Sequence, residues 1–150
     1  MKTAMLFLCL LLAILPLAAD AAFTVTVSPG TIAWDSNTWV SVRITNNAAQ
    51  GYAANLTFYV DPDSDGAVGA ADVPLLNVTL RDGRSNRFGA VSIPADDDGI
   101  TNGAILTRIP CFGTDNPLHM VGHYIVQVAF TNGTSPAVMP FTVTQPTTTV

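Results

Sequence analysis

The amino-acid sequence predicts an all-β domain built as a two-sheet antiparallel sandwich. All eleven acidic residues are aspartate, and the only lysine is Lys2, so the residues that favour exposed helix faces are missing. Thr, Val, Asn, Gly and Pro are frequent instead, as is typical of strands and turns. Short segments of alternating polarity follow one another at even spacing, without a strand-helix-strand pattern. These features favour a sandwich over a closed barrel.

Eight segments have the period-two alternation of a half-buried strand. They are residues 23–27, 39–45, 54–60, 75–81, 87–93, 104–109, 124–130 and 138–144. The apolar residues of the second, third and seventh segments form the predicted core, which consists of Val40, Val42, Ile44, Ala54, Leu56, Phe58, Val60, Tyr124, Val126, Val128 and Phe130. Asp82-Gly83 and Asn132-Gly133 are hairpin turn signals.

The first 21 residues have the features of a secretory signal peptide. Lys2 precedes an apolar run over 4–17, and the Ala19-Asp20-Ala21 pattern follows it. The run is short for a transmembrane anchor, although an uncleaved anchor is the alternative. The sequence thus predicts secretion, no stable membrane insertion, a sandwich over 22–144 and a Thr/Pro-rich tail over 145–150.

Charge and cysteine usage narrow the functional classes. The chain of 150 residues has a formal net charge of -5, and its five arginines form no basic stripe, so nucleic acid is not an expected partner. Removal of the signal would leave Cys111 alone, so an exported domain would have no internal disulfide. We expect a small buried thiol there, not a nucleophile.

The most specific motif is the twelve-residue segment from Asp61 to Asp72, which fits the calcium loop D-x-D-x-D-G with an acid at position twelve. Carboxylates on alternate residues of a tight loop converge on one point, and Gly66 permits the sharp turn. The predicted calcium ligands are the side chains of Asp61, Asp63, Asp65 and Asp72 and the backbone carbonyl of Ala67, with water at Gly69 and with Val68 pointing into the core. The alternative is an acidic loop that binds nothing.

The flanks of this loop carry a resemblance to a known group of domains. Phe58-Tyr59-Val60 precedes the loop, Val73-Pro74-Leu75-Leu76 follows it, and later come the segment 87–94 and Gly122-His123-Tyr124. The region 38–144 resembles secreted prokaryotic immunoglobulin-like domains in which a dockerin-like calcium loop joins two strands. The resemblance implies an immunoglobulin-like fold and a place in extracellular fibre or surface proteins.

Weaker patterns have two interpretations each. Asp96, Asp97 and Asp98 could hold a second calcium ion or form a solvated turn. His119 and His123 are four residues apart, but without a helical pattern a structural role is expected. The aromatic residues Trp34, Trp39, Tyr52 and Tyr59 could form a sugar-stacking platform or pack at the core and edges.

Three N-glycosylation sequons begin at Asn55, Asn77 and Asn132, and their exposure would make the chain a glycoprotein.

No enzyme motif is present in the sequence, and no glutamate is available as a general acid, so enzymatic activity is not expected. An exported sandwich without an attached enzyme or anchor is expected to act as an assembly of many copies. This favours a subunit that polymerises with copies of itself into an extracellular fibre. The N-terminal segment 22–27 could be donated to a neighbouring copy or remain in its own domain. A carbohydrate-binding or adhesive module, which would bind polysaccharide, and a secreted inhibitor are the alternatives.

Overall fold

The fold is all-β over the residues that the computed structural model describes. These are residues 23–34, 39–46, 50–84, 87–88, 93–94, 96, 98–110, 118, 120–131 and 135–146. Every regular element among them is a strand: β1 (Phe23–Ser28), β2 (Thr31–Ala33), β3 (Trp39–Asn46), β4 (Ala53–Val60), β5 (Val73–Arg81), β6 (Arg87–Phe88), β7 (Ile93–Pro94), β8 (Ala104–Pro110), β9 (Gly122–Phe130) and β10 (Ala137–Thr144). The predicted signal peptide, Cys111, His119, the Asn132-Gly133 turn and residues 147–150 lie outside the described residues.

Two main sheets contain eight of these strands. One has the order β1-β3-β8 and the other the order β2-β10-β9-β4-β5, while β6 and β7 pair separately. All pairs are antiparallel except β2 with β10, which are parallel, with Thr31 opposite Thr142. The expectation of purely antiparallel sheets is therefore wrong at β2. This strand has only three residues, too few to give an alternating pattern in the sequence.

The predicted strand 87–93 needs a second correction. Its two ends pair with each other, with Arg87 opposite Pro94 and Phe88 opposite Ile93, so the segment holds two short strands instead of one long strand. A glycine inside a strand pattern is a signal of interruption, and Gly89 supplies that signal. The other seven predicted strands all have counterparts in the structure.

The two main sheets share one hydrophobic core. The predicted core residues are buried, except Val60, which is half-buried and packs against the others. β1 and β8 add Val25, Ile105 and Ile109 on the side of the three-stranded sheet, and the five-stranded sheet adds Ile32, Leu80 and Phe141 from the other side. Full burial of one such side chain contributes about 1.5–3 kcal/mol, so this shared core is the main source of stability.

The strands run between two ends of the molecule, which we name the loop pole and the turn pole. At the loop pole Asp61 follows β4 and donates its N–H to the carbonyl of His123. At the turn pole Asp82 follows β5 and donates its N–H to the carbonyl of Tyr52. The loop pole comprises residues 28–30, 39, 61–75 and 120–123, and the turn pole comprises residues 50–52, 81–84, 96 and 98–103.

The hydrogen bonds of the first sheet fix its orientation between these poles. Ser28, at the end of β1, lies opposite Ser41 near the start of β3, and the carbonyl of Gly30 accepts from the N–H of Thr142. The end of β3 is at the turn pole, because Asn46 donates its N–H to Gly103. Trp39, the first residue of β3, is therefore at the loop pole.

Candidate metal centre

The acidic loop connects β4 with β5, and its first residue is anchored to the sheet. The backbone N–H of Asp61 donates to the carbonyl of His123 over 2.9 Å, which extends the pairing of β4 with β9 by one residue. This bond places the Asp61 side chain at the edge of the core, where the residue is only 3% exposed. The position of the first predicted ligand is thus set by the sheet.

The carboxylates of Asp61, Asp63 and Asp65 converge. One oxygen from each lies within 4.8 Å of the others, and they form the only metal-compatible group of three found among the described residues. Calcium binds oxygen at 2.3–2.6 Å, so two ligands on opposite sides of one ion are about 4.6–5.2 Å apart. The spacing of the three carboxylates fits that geometry.

The local backbone explains this convergence. Ser64 and Gly66 both have positive φ, at 58° and 71°, which turns the chain sharply enough to bring alternate side chains to one side. The N–H of Gly66 donates to Asp61 Oδ2 over 3.1 Å, and the N–H of Ala67 donates to Asp65 Oδ1 over 2.8 Å. The loop therefore orients its own acidic side chains through backbone donors.

Two carboxylate oxygens in the loop have no hydrogen-bond partner although they are buried. These atoms are Asp61 Oδ1 and Asp72 Oδ1. A buried polar atom without a partner loses its hydration without compensation, at a cost of about 1–3 kcal/mol and more if it is charged. A bound cation would compensate both atoms.

Asp72 is less closely joined to the site than its position in the motif predicts. Its Oδ2 accepts from the N–H of Gly69, but its carboxylate is not part of the group formed by the other three aspartates. Val68 is half-buried and is not among the partly buried residues found to pack against the core, so its predicted orientation into the core stays a prediction. Nothing in the structure tests the role of the Ala67 carbonyl as a ligand, which stays a prediction.

Mutual repulsion is evident in the pKa values of the cluster. The hydrogen bond with Asp61, followed by partial burial and the nearby charge of Asp65, raises the pKa of Asp63. Burial opposes ionisation of Asp61, but the N–H of Gly66 and the Asp63 carboxyl outweigh it and hold the pKa of Asp61 below its ordinary value. The two carboxyl groups thus influence each other's ionisation, and a bound cation would relieve the repulsion between them.

A cavity of about 320 Å³ opens beside the loop. Its wall includes Asp61, Asp65, His123, Pro140 and Thr142. Thr142 Oγ1 lies 3.4 Å from His123 Nδ1, so polar groups from β9 and β10 face the same space as the acidic loop. A small polar molecule could reach the cluster from this side.

The acidic segment at the turn pole is arranged differently. Asp96 is buried and accepts from the N–H groups of Gly83, over 2.9 Å, and Leu106, over 3.4 Å. Asp98 is exposed and accepts from the Ile100 N–H and the Asn102 side chain. Asp97 lies outside the described residues. Burial, with the charge of Asp98, raises the pKa of Asp96. A second calcium site here remains a prediction. Both described carboxylates, Asp96 and Asp98, already accept hydrogen bonds from donors within the protein.

Sequence reasoning missed Asp82, which it treated only as a turn residue. This buried carboxylate accepts three backbone N–H groups, from Gly51 over 2.7 Å, Asn102 over 3.1 Å and Gly103 over 2.9 Å. It therefore holds together three segments that are distant in the chain. The Asp-Gly pair signals a turn but gives no indication of such distant donors.

The aromatic residues considered for a sugar platform are dispersed. Tyr52 and Tyr59 lie near opposite ends of β4, and the Tyr52 hydroxyl donates to the carbonyl of Ile44 over 3.1 Å. Trp34 is half-buried against the core, whereas Trp39 is 42% exposed at the loop pole. The structure does not bring these rings together on one surface.

Two of the three sequons lie side by side on the outer face of the five-stranded sheet. Asn55 and Asn77 are exposed, and Thr79 Oγ1 donates to Asn55 Oδ1 over 2.8 Å. Asn132 lies outside the described residues. Exposure is consistent with glycosylation, which remains a prediction.

Comparisons with known proteins identify no family. No protein-family model matches the chain, and no curated protein matches it. A β-glucosidase from Listeria innocua is similar over 83% of this chain and 16% of its own, with 10% identity and a TM-score of 0.38. The Pseudomonas fluorescens alkylpurine DNA glycosylase AlkC, bound to DNA with an abasic site analog, is similar over 83% of this chain and 30% of its own, with 16% identity and a TM-score of 0.39.

This chain thus spans less than a third of either protein's length, and the TM-scores are too low to indicate a shared fold or activity. Within the part of the chain that the structure describes, no helix has the length and hydropathy that a membrane crossing requires.

Proposed function

We propose that this protein is a secreted calcium-binding structural subunit that assembles with copies of itself into an extracellular fibre or surface appendage. One observation carries the calcium part of the proposal: Asp61 is buried, its Oδ1 has no partner, and one of its oxygens lies within 4.8 Å of oxygens of Asp63 and Asp65. The immunoglobulin-like type of sandwich belongs to the same proposal, supported by two sheets around one core.

The donor chemistry favours calcium over other metals. The side chains of the cluster offer only carboxylate oxygens, which suit hard cations, and not the sulfur or imidazole ligands that zinc and copper prefer. Magnesium demands near-octahedral geometry and keeps most of its water. A twelve-residue loop with main-chain and water positions suits the larger and more flexible shell of calcium.

The metal would act on stability because of where the loop lies. β4 is an inner strand of the five-stranded sheet and β5 is its edge, so the loop determines how the edge strand continues from the sheet. Export would place the chain where disulfides are common, yet the predicted mature chain has a single cysteine. Calcium can supply the cross-link that a disulfide gives to other small exported domains.

Thermal unfolding with calcium and with chelator tests this role. A ligand that binds only the folded state, and is present at a free concentration one hundred times its dissociation constant, raises the free energy of unfolding by about 2.7 kcal/mol. In a domain of this size, such a change raises the Tm by about 10 °C. The variant Asp65→Asn should lose most of the shift. Asp98→Asn, a matched change at the turn pole, should keep the part of the shift that the loop at Asp61–Asp72 contributes.

The calcium proposal fails if the melting temperature of the unaltered protein is the same in calcium and in chelator. Electron microscopy of the secreted protein tests assembly independently, because filaments are expected whereas dispersed monomers would contradict the fibre.

The cavity beside the loop favours one alternative, a carbohydrate-binding or adhesive module. Hydroxyl groups of a polysaccharide could enter this space of about 320 Å³ and meet Asp65 and His123 on its wall. Titration of the calcium-loaded protein with polysaccharides distinguishes the two functions. Binding by a protein that stays monomeric would support the module, and assembly without such binding would support the fibre.

A further inference from the structure

Large exposed apolar side chains are concentrated at one end of the molecule. Six such residues are found in the described part of the chain: Trp39, Val73, Leu75, Ile100, Met120 and Val121. Five of them belong to the loop pole, where Met120 is 62% exposed, and the sixth, Ile100, is 60% exposed at the turn pole. Large exposed apolar side chains gathered at one end of a molecule are candidates for an interaction site.

The exposed charges of the two poles differ in sign. At the loop pole Asp63 and Asp65 are exposed, and the four carboxylates of the loop would leave a net negative charge even with one calcium ion bound. At the turn pole Arg81, Arg84 and Asp98 are exposed, while Asp82 and Asp96 are buried and hydrogen-bonded to backbone N–H groups, so the exposed charges of the described residues there sum to one positive charge. The other exposed arginines with described side chains, Arg43 and Arg108, lie on the three-stranded sheet.

We propose that the loop pole of one copy binds the turn pole of the next, so that the subunits join head to tail. This inference rests on the proposed assembly function and specifies its interface. Ile100 packs among the apolar residues around Met120 and Val121 of the neighbouring copy, and Arg81 and Arg84 face the acidic loop. Because the two surfaces are different, each added copy leaves one free pole of each kind, and the chain continues without closing.

Charge disfavours the symmetric alternative. Two loop poles facing each other would place Asp63 and Asp65 of one copy near the same residues of the other, and like charges in an interface oppose association. Two turn poles would bring Arg81 and Arg84 of both copies together, with one exposed carboxylate, Asp98, from each copy to offset them. The pairing of unlike poles places the exposed apolar residues of both poles in the contact and brings Arg81 and Arg84 to the acidic loop.

Single charged substitutions test the interface. Val121→Asp damages the loop pole and Ile100→Asp damages the turn pole, and each changes an exposed side chain, so the fold should be retained. Thr26→Asp is the control, because Thr26 is exposed on the edge strand β1, away from both poles. In sedimentation of the calcium-loaded protein, each pole variant should reduce assembly at least tenfold, and the control should assemble normally.

A mixture of the two pole variants gives the sharpest result. The Ile100→Asp copy keeps an intact loop pole and the Val121→Asp copy keeps an intact turn pole, so the mixture should form heterodimers although each variant alone stays monomeric. Higher salt should weaken them, because the charges are screened.

Four results would overturn the interface: normal assembly of both pole variants, failure of their mixture to dimerise, assembly blocked only by Thr26→Asp, or an unaltered protein that never assembles. The last of these would overturn the fibre function as well, and normal assembly of the pole variants would overturn the interface alone. Calcium titration of every variant separates these results from a failure of the metal site.

Discussion

At the scale of single residues, Gly66 connects backbone conformation with metal binding. It has a φ of 71°, and its N–H orients the Asp61 carboxylate. A Cβ added at this position would lie 3.7 Å from Pro140, which is an ordinary contact, so space does not require glycine here. The requirement comes from the left-handed backbone, which a β-branched residue adopts only at a cost of about 1–2 kcal/mol.

We therefore expect Gly66→Val to weaken calcium binding about tenfold, because 1.4 kcal/mol corresponds to a factor of ten in affinity. Ala67→Ser, at the next position, should change the affinity little, since that residue is predicted to contribute only its carbonyl. Isothermal titration of both variants measures the difference. Equal affinities would mean that the loop does not bind metal in the predicted geometry.

A second residue, Asp96, predicts a pH dependence that is independent of calcium. Burial raises the pKa of its carboxyl above the ordinary value of 3.8, so the folded state holds the proton more tightly than the unfolded state does. The contribution of this group to the free energy of unfolding is therefore largest at low pH and is lost as the pH rises through the raised pKa.

Comparison with Asp96→Asn isolates this contribution from other titrating groups. The asparagine stays neutral, so the unaltered protein should lose stability relative to the variant as the pH rises from the ordinary aspartate pKa of 3.8 through the raised pKa of Asp96. Urea unfolding with chelator present measures both proteins across this range. A difference that does not change with pH would contradict the assignment.

At the scale of elements, the pairing of β1 bears on an alternative that the sequence leaves open. In the structure it pairs with β3 of its own chain over six residues, and Val25 is buried in the core. Phe23 stacks on Phe130 with ring centroids 3.6 Å apart and contacts Tyr52 edge to face. The described arrangement is thus the ordinary one, in which the first strand completes its own sheet.

Phe23→Ala should consequently lower the free energy of unfolding by about 2–3 kcal/mol, somewhat less than the loss of a fully buried phenylalanine. Thr24→Ala, a change at the neighbouring exposed position, should have an effect within about 0.5 kcal/mol. Denaturant unfolding measures both. A stability that rises with protein concentration would instead indicate that β1 is exchanged between copies.

The sequence predicted strands well where their polarity alternates and poorly where they are short. β3, β4 and β9 were recognised because their apolar residues face the core on every second position. β2 was missed because three residues carry no period, and its parallel pairing with β10 depends on how the chain passes between sheets. Such a crossing is a long-range property that local patterns do not encode.

The same distinction applies to the site. The convergence of Asp61, Asp63 and Asp65 follows from their spacing within one loop, so the sequence could predict it. The three backbone donors of Asp82 come from residues 20 to 31 positions away, and only the packed sheets bring them together. Short-range chemistry was thus predictable, whereas the long-range anchor was not.

At the scale of the whole molecule, each pole has its own group of carboxylates. The loop pole depends on a cation to relieve unpaired oxygens, while Asp82 at the turn pole is satisfied by backbone N–H groups. The eight residues of β4 separate the two groups, a distance of about 25 Å at the usual rise of a strand. Sites so far apart without shared partners contribute independently to stability.

This separation predicts additive effects of calcium removal and of Asp82→Asn. The asparagine keeps one acceptor oxygen for three N–H donors and loses the charge. We therefore expect the free energy of unfolding to fall by about 2–4 kcal/mol, and by the same amount in calcium as in chelator. Denaturant unfolding of both proteins in both conditions forms a thermodynamic cycle, whose coupling energy should stay within about 0.5 kcal/mol. A coupling above about 1 kcal/mol would mean that the sheets transmit the state of the metal loop to the turn pole, and calcium would then influence both surfaces of the head-to-tail contact instead of one.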